Sequence, residues 1–182
     1  ENVRERGHVL FGDNCAACHG SHATGGPGFP NLTDKDWLWG GDPATIDETI
    51  RVGVNSEHPD SRISQMLAFG RDKMLDETAV QNVADYVLSL SRPGFAKGAN
   101  ARSAAAGKAV FAANCVSCHG EDAKGNPQVG APNLTDGDWL YGGDEQSVLT
   151  TIENGRQGEM PAWESRLGPV DRKILTLYVL DQ

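Results

Sequence analysis

The chain repeats itself at an offset of 100 to 102 residues, and this duplication limits its possible folds more than any other feature. Residues 14–20 recur as residues 114–120, and each copy contains a Cys-x-x-Cys-His motif. Residues 31–42 recur as residues 133–144, with ten of twelve positions identical. Because a long internal repeat marks a repeated structural unit, the sequence predicts two homologous domains.

The boundary between the two domains is indicated by residues that break helices. The stretch around Pro93 and Gly94 has no helical periodicity. We therefore expect a first domain at residues 1–92, a linker at residues 93–102 and a second domain at residues 103–182.

Both domains are predicted to be all-α, with three to four helices each. A middle helix begins at Asp42 and Pro43, as an N-cap followed by proline at the first helical position, and its copy begins at Asp144. The last helix of each repeat shows apolar residues at helical spacing: Val80, Val83, Ala84, Val87 and Leu88 in the first, and Val170, Ile174, Leu175 and Tyr178 in the second. We find no convincing strand pattern.

The four cysteines all belong to the repeated motifs, as Cys15, Cys18, Cys115 and Cys118. A disulfide pair in each motif would leave the adjacent histidine unexplained, and a shared zinc site would need pairs that lie closer in sequence. Cys-x-x-Cys-His is the signature of covalent c-type haem attachment, in which the histidine ligates the iron. The sequence therefore predicts two haem c groups, with His19 and His119 as iron ligands.

A second ligand for each iron is expected from methionine. Met160 is the only methionine of the second repeat, and alignment on a following Ala-aromatic pair brings Met66 into register with it. The loop before Met66 has eight extra residues, which include His58 as the rival ligand. Met74 has no counterpart and is expected to be a packing residue.

Two prolines at corresponding positions suggest how the histidines are oriented. Pro30 and Pro132 lie 11 and 13 residues beyond the motif histidines. A backbone carbonyl at either position could accept the histidine Nδ1–H and fix the ring. The remaining histidines, His8 and His22, are expected on the surface.

Charge and hydropathy argue against a nucleic-acid-binding protein and against a membrane span in this sequence. The net charge of -9 argues against a nucleic-acid partner, which a basic face would serve. No apolar run reaches the ~18 residues that a membrane span needs.

Taken together, the motifs resemble a known family. Over the whole chain they resemble two class I cytochrome c domains and, more closely, the dihaem subunit III of the cbb3-type cytochrome c oxidases. The resemblance is carried by residues 14–20, 29–32, 36–41 and 62–70. It places the iron ligands at His19 with Met66 and at His119 with Met160. This chain has Leu67 where the family usually has proline.

The resemblance implies a function in electron transfer. It implies a subunit that is not catalytic alone and that passes single electrons from a soluble cytochrome c towards the monohaem and catalytic subunits of the oxidase. It also implies a periplasmic location and an N-terminal membrane anchor in the full-length protein, of which this chain would be the extracytoplasmic part. The alternatives are a free-standing dihaem carrier, a dihaem protein with a labile methionine that binds gas ligands, and a zinc-binding structural module.

Overall fold

The computed structural model describes residues 2–182, and the regular structure of that range is helical. The first repeat forms α1 (Val3–Asn14), α2 (Ala16–His19), α3 (Pro43–Val52) and α4 (Glu77–Ser91). The second repeat forms α5 (Ala101–Asn114), α6 (Val116–His119), α7 (Glu145–Asn154) and α8 (Pro169–Leu180), and a 3-10 turn at Gly98–Asn100 precedes α5. Residues 2–182 contain isolated β-bridges but no strand, so the all-α prediction is confirmed.

None of the helices in the described part of the chain is both long and apolar enough to cross a membrane.

The middle helices begin where their capping residues predict. The carboxylate of Asp42 accepts a hydrogen bond from the backbone N–H of Thr45 at 3.0 Å, and Asp144 accepts one from Ser147 at 3.0 Å. Both bonds satisfy N–H groups that have no partner inside the helix. Each helix then ends at a glycine with positive φ, Gly53 or Gly155.

The chain divides into two compact units that do not follow the two repeats. Unit 1 contains the described residues up to Ser64 together with Gly158–Gln182, and unit 2 contains Gln65–Gln157. Unit 1 therefore takes its last helix, α8, from the second repeat, whereas unit 2 takes α4 from the first. The expected boundaries at residues 92 and 103 do not separate the compact units, and the expected linker lies inside unit 2.

The short connection between α4 and α5 explains part of this exchange. Helix α4 ends at Ser91 and α5 begins at Ala101, and such short connections favour packing of consecutive helices against each other. In unit 2, α4 packs on α5 and α7; in unit 1, α8 packs on α1 and α3.

Each unit has one apolar core. In unit 1 the buried residues are Phe11, Ala23, Ile46, Ile50, Leu167, Leu175 and Val179. In unit 2 they are Phe69, Val80, Val83, Ala84, Val87, Leu88, Phe111, Ala123, Val148 and Ile152. One residue of the predicted apolar stripe is not buried: Val170 is 69% exposed.

Candidate haem sites

The first Cys-x-x-Cys-His motif forms a single helical turn after α1. The backbone N–H of Cys15 bonds to the carbonyl of Phe11 at 2.8 Å, and the N–H of His19 bonds to the carbonyl of Cys15 at 2.9 Å. Residues three and four positions apart share a helix face, so Cys15, Cys18 and His19 face the same side of α2. Cys15 is half-buried and Cys18 is exposed.

The second motif repeats this geometry in unit 2. The N–H of His119 bonds to the carbonyl of Cys115 at 2.9 Å, and the Cys115 thiol is again half-buried while that of Cys118 is exposed. Burial, with a smaller contribution from the neighbouring thiol, raises the pKa of Cys15 and of Cys115 to about 11.

The structure gives little support to the other interpretations of these cysteines. No disulfide joins the two cysteines of either motif. Among residues 2–182, no group of three or more His, Cys, Asp or Glu side chains is arranged to hold a metal ion such as zinc.

Both motif histidines are oriented by a proline carbonyl. His19 Nδ1 lies 2.9 Å from the carbonyl oxygen of Pro30, and His119 Nδ1 lies 3.0 Å from that of Pro132. Because a carbonyl oxygen only accepts, Nδ1 carries the proton and Nε2 keeps a lone pair for a metal. Burial lowers the pKa of both histidines, although the bond to the carbonyl acts in the opposite sense.

A left-handed glycine holds each proline segment close to its histidine. Gly25 has φ +69° and its N–H bonds to the carbonyl of His19 at 2.8 Å. A Cβ at this position would overlap the carbonyl oxygen of Phe29 and lie 2.7 Å from the nitrogen of Asn31. Gly125, with φ +86°, is equally close to the backbone around Pro132. Sequence reasoning missed both glycines, although the repeat contains them.

The Trp-Leu-x-Gly-Gly segments place an indole ring in each unit. The ring of Trp37 lies directly against Gly41, and that of Trp139 lies against Gly143, where a Cβ would overlap the indole. Trp37 packs against the core of unit 1 and Trp139 against that of unit 2. These segments therefore supply part of the apolar lining beside each motif.

The two predicted methionines lie in opposite units to those that the repeats imply. Met160 packs against the core of unit 1, as do Cys15 and Trp37. Met66 packs against the core of unit 2, as do Cys115 and Trp139. The structure thus brings Met160 together with the first motif and Met66 with the second, whereas the resemblance pairs them the other way.

A short backbone pairing fixes each methionine. Met160 and Val54 exchange two N–H···O bonds, both of 2.9 Å, and Met66 and Arg156 exchange two of 2.8 and 3.0 Å. Glycine is required beside each pair, because a Cβ on Gly53 would overlap the carbonyl oxygen of Met160 and one on Gly155 that of Met66.

The rival ligand His58 has other partners. Its Nε2 lies 2.7 Å from a Glu164 oxygen, and its Nδ1 accepts a bond from the N–H of Asp60 at 3.0 Å. Both ring nitrogens of His58 are thus engaged. His58 also belongs to unit 1, whereas Met66 belongs to unit 2.

The other two histidines and the third methionine lie at the surface. His8 and His22 are exposed. Met74 was expected to be a packing residue at the start of the last helix, but it is 50% exposed and lies two residues before the N-cap of α4.

These arrangements fit a c-type haem. Each unit offers two thiols on one helical turn, a histidine whose Nε2 is available, and a half-buried methionine in an apolar cluster. Thiols add to the haem vinyl groups, and imidazole with thioether is a known pair of axial ligands.

Comparisons with known proteins agree with the two motifs. The family described as cytochrome c oxidase, cbb3-type, subunit III matches residues 102–179, and the cytochrome c family matches residues 4–91.

Several curated relatives are similar over almost the whole chain. The cbb3-type cytochrome c oxidase subunit FixP of Bradyrhizobium sp. (strain ORS 278) is 56% identical over 181 residues, which are 97% of this chain and 60% of the relative. FixP of Azorhizobium caulinodans is 52% identical, with 97% and 59% covered. Subunit CcoP of Cereibacter sphaeroides is 45% identical, with 95% and 59% covered. The chain spans about three fifths of the length of these relatives.

The motifs and the matches lead to one conclusion about the prosthetic groups. Two haem c groups are covalently bound, one at Cys15 and Cys18 and the other at Cys115 and Cys118. With two cytochrome c domains and this similarity along 97% of its length, the chain belongs to the family of cbb3-type cytochrome c oxidase subunit III.

Proposed function

We propose that this chain transfers single electrons through two six-coordinate haems. His19 and Met160 would ligate the iron of the haem that is attached to Cys15 and Cys18, and His119 and Met66 would ligate the iron of the other haem. The observation that carries this proposal is the placement of each methionine in the apolar cluster of the motif from the other repeat. Pro30 and Pro132 orient the two histidines through their carbonyl oxygens.

The chain's own residues determine what such a site does. Haem iron between histidine and methionine supplies one-electron chemistry at a raised potential, because thioether ligation favours the ferrous form. The Nδ1–H bond to the proline carbonyl holds each imidazole ring and leaves its Nε2 available to ligate the iron. A histidine and a methionine would hold each iron and leave no position for a substrate, so the chain is not catalytic alone.

The relatives suggest where the electrons go. Their names describe subunits of cbb3-type oxidases. By analogy, this chain receives electrons from a soluble cytochrome c and passes them to the monohaem and catalytic subunits. It acts outside the cytoplasm, at the periplasmic face of the inner membrane, and the full-length protein carries the membrane anchor.

The pairing of ligands can be tested one haem at a time. In the full chain with Cys115→Ala and Cys118→Ala, only the haem at the first motif remains. In that background we expect Met160→Ala to abolish the methionine–iron charge-transfer band of the oxidised protein, whereas Met66→Ala should retain it. Nuclear Overhauser contacts from the Met160 methyl to the haem at Cys15 provide a second check. The opposite result would restore pairing within each repeat.

A second experiment tests the role of carrier. The chain with both haems should be reduced by ferrous soluble cytochrome c in a stopped-flow instrument and should show no oxygen uptake in an electrode. Its reduced spectrum should not change under carbon monoxide, because both axial positions are occupied. Carbon monoxide binding to one haem would favour the gas-binding alternative, and steady oxygen uptake would contradict the carrier role.

A further inference from the structure

Two arginines make matching contacts in the two units although they do not correspond in the repeat. The guanidinium of Arg62 lies 5.2 Å from the ring centroid of Trp39, and that of Arg156 lies 4.2 Å from the ring centroid of Tyr141. Trp39 and Tyr141 occupy the same repeat position. The position that corresponds to Arg156 in the first repeat is Val54.

A second contact is also shared. Arg62 Nε donates to Thr49 Oγ1 at 2.9 Å, and Arg156 Nε donates to Thr151 Oγ1 at 3.0 Å. Thr49 and Thr151 again occupy one repeat position, on α3 and α7. Each unit therefore holds a guanidinium between an aromatic ring and a threonine, but reaches that arrangement from a different point of the chain.

In unit 2 the backbone pairing places the arginine beside the methionine. Directly opposed residues of an antiparallel pair project their side chains to the same face. Met66 and Arg156 are opposed in this way, so both side chains leave the backbone on one side.

In unit 1 the same result needs a third segment. Val54 is opposed to Met160 on one side and to Arg62 on the other. The three side chains therefore share a face, with Val54 between the methionine and the arginine.

The longer loop of the first repeat brings Arg62 to that position. The N–H of Arg62 bonds to the carbonyl of Gly53 at 3.1 Å, and its carbonyl accepts the N–H of Asn55 at 2.7 Å. The Asn55 amide closes the loop by donating to the carbonyl of Ser64 at 2.8 Å. The first repeat has Val54 where the second has Arg156. The longer loop supplies Arg62 in place of that arginine.

Neither of these two arginines forms an ion pair within residues 2–182. No carboxylate of that range lies within ion-pair distance of either guanidinium, whereas Arg4 and Arg71 each contact one carboxylate and Arg51 contacts three. Arg62 acts on Glu48 only at longer range, where its charge helps to lower the pKa of that carboxyl. Arg62 and Arg156 are both half-buried in a chain with a net charge of -9. A half-buried guanidinium keeps its charge, and its fork of N–H donors matches a carboxylate. Arg62 uses some of these donors on Thr49 and on the Thr45 carbonyl.

We propose that Arg62 and Arg156 are equivalent anion-binding residues, one in each unit, and that each binds a propionate carboxylate of the haem. The propionates are the anionic groups of an otherwise apolar macrocycle, and each arginine shares a face with the methionine that we assign to the iron. The inference rests on that proposed assignment. In this arrangement the Trp39 or Tyr141 ring and the threonine hold the guanidinium in place for the carboxylate.

The test is the reduction of each haem in the full chain with Arg156→Gln or Arg62→Gln. A nearby cation disfavours the ferric form, so its removal should lower the reduced-to-oxidised ratio of one haem at a fixed potential. We expect a fall of about threefold to tenfold, or about 30–60 mV for a one-electron couple. The propionate bending band in the resonance Raman spectrum should shift in the same variants. If the two arginines bound free phosphate instead of a propionate, their substitution would leave the Raman band unchanged. That result would contradict the proposal.

Matched controls change the same charge elsewhere. Arg71→Gln in unit 2 and Arg4→Gln in unit 1 remove exposed guanidinium groups that pair with Asp72 and Asp181. Both should leave the ratio and the Raman band unchanged. If a glutamine variant fails to fold, Arg156→Lys or Arg62→Lys keeps the charge but loses the fork, and should shift the Raman band with a smaller change in ratio.

The outcomes separate this inference from the proposed function. Absence of the methionine–iron band in the unaltered protein would overturn the ligand assignment. Presence of that band, with ratio and Raman band unchanged in both arginine variants, would overturn only the role of the arginines.

Discussion

At the scale of single residues, the conformation of one glycine determines how the motif histidine is held. The carbonyl of Pro30 reaches His19 because Gly25 adopts a left-handed conformation at φ +69° and allows the backbone to pass closely. A Cβ added to Gly26, the next residue, would have no atom within 4 Å, and Gly26 has no positive φ. Two adjacent glycines thus have opposite roles.

We expect Gly25→Ala to destabilise unit 1 and disturb its haem. The left-handed conformation alone costs an alanine about 1–2 kcal/mol, and overlap with the Phe29 carbonyl oxygen adds to it. Thermal unfolding should show a loss of at least about 2 kcal/mol, and the absorption spectrum should show altered iron ligation.

The control for this variant is Gly26→Ala, which we expect to change stability by less than about 0.5 kcal/mol. Equal effects of the two substitutions would show that the Pro30 segment can move away without cost.

At the scale of helices, the same kind of close contact joins α1 to α8 and α5 to α4. A Cβ on Gly7 would lie 2.8 Å from Tyr178 Cβ, and one on Gly107 would overlap the carbonyl oxygen of Asn82. In each unit, therefore, the helix before the cysteine motif approaches the last helix of the other repeat through a glycine.

Substitutions on α1 test this contact within one helix. We expect Gly7→Ala to destabilise the protein by about 1–3 kcal/mol, because the added methyl group overlaps a packed tyrosine. Gly12→Ala, on an open face of the same helix, should instead stabilise by about 0.5–1 kcal/mol through helix propensity. Chemical denaturation measures both changes. A gain in stability from Gly7→Ala would contradict the close contact of α1 with α8 at Gly7.

At the scale of the whole molecule, the two repeats exchange their methionine loops and last helices. Unit 2 is one continuous segment, Gln65–Gln157, whereas unit 1 needs both ends of the chain. A continuous segment with its own core, motif and methionine has what it needs to fold alone.

Two fragments test this organisation. We expect Gln65–Gln157 to fold with one haem that shows the methionine–iron band and unfolds cooperatively. A fragment of residues 1–92 follows the sequence repeat and lacks Leu175, Tyr178 and the rest of α8. It should have a lower melting temperature than the Gln65–Gln157 fragment. An unfolded Gln65–Gln157 beside a fully stable 1–92 fragment would show that the repeats, and not the units, are the folding domains.

Much of the site could be predicted from the sequence, because its signals are local. Cys15, Cys18 and His19 lie on one helical turn whatever the rest of the chain does, and Asp42 caps α3 through a residue three positions away. The bond from His19 to the Pro30 carbonyl also spans only a short loop. Short-range geometry of this kind is set by neighbouring residues and is repeated in both halves.

Only the tertiary structure decided which methionine and which last helix joins each motif. Helices α4 and α8 carry similar apolar stripes, so sequence similarity cannot tell which of them covers α1 and which covers α5. The choice depends on long-range packing, in which the short connection after Ser91 keeps α4 beside α5 and leaves α8 for unit 1. The equivalence of Arg62 and Arg156 could not be predicted for the same reason. Backbone pairing of separate segments places Arg62 as Arg156 is placed, and the two residues do not align in the repeats.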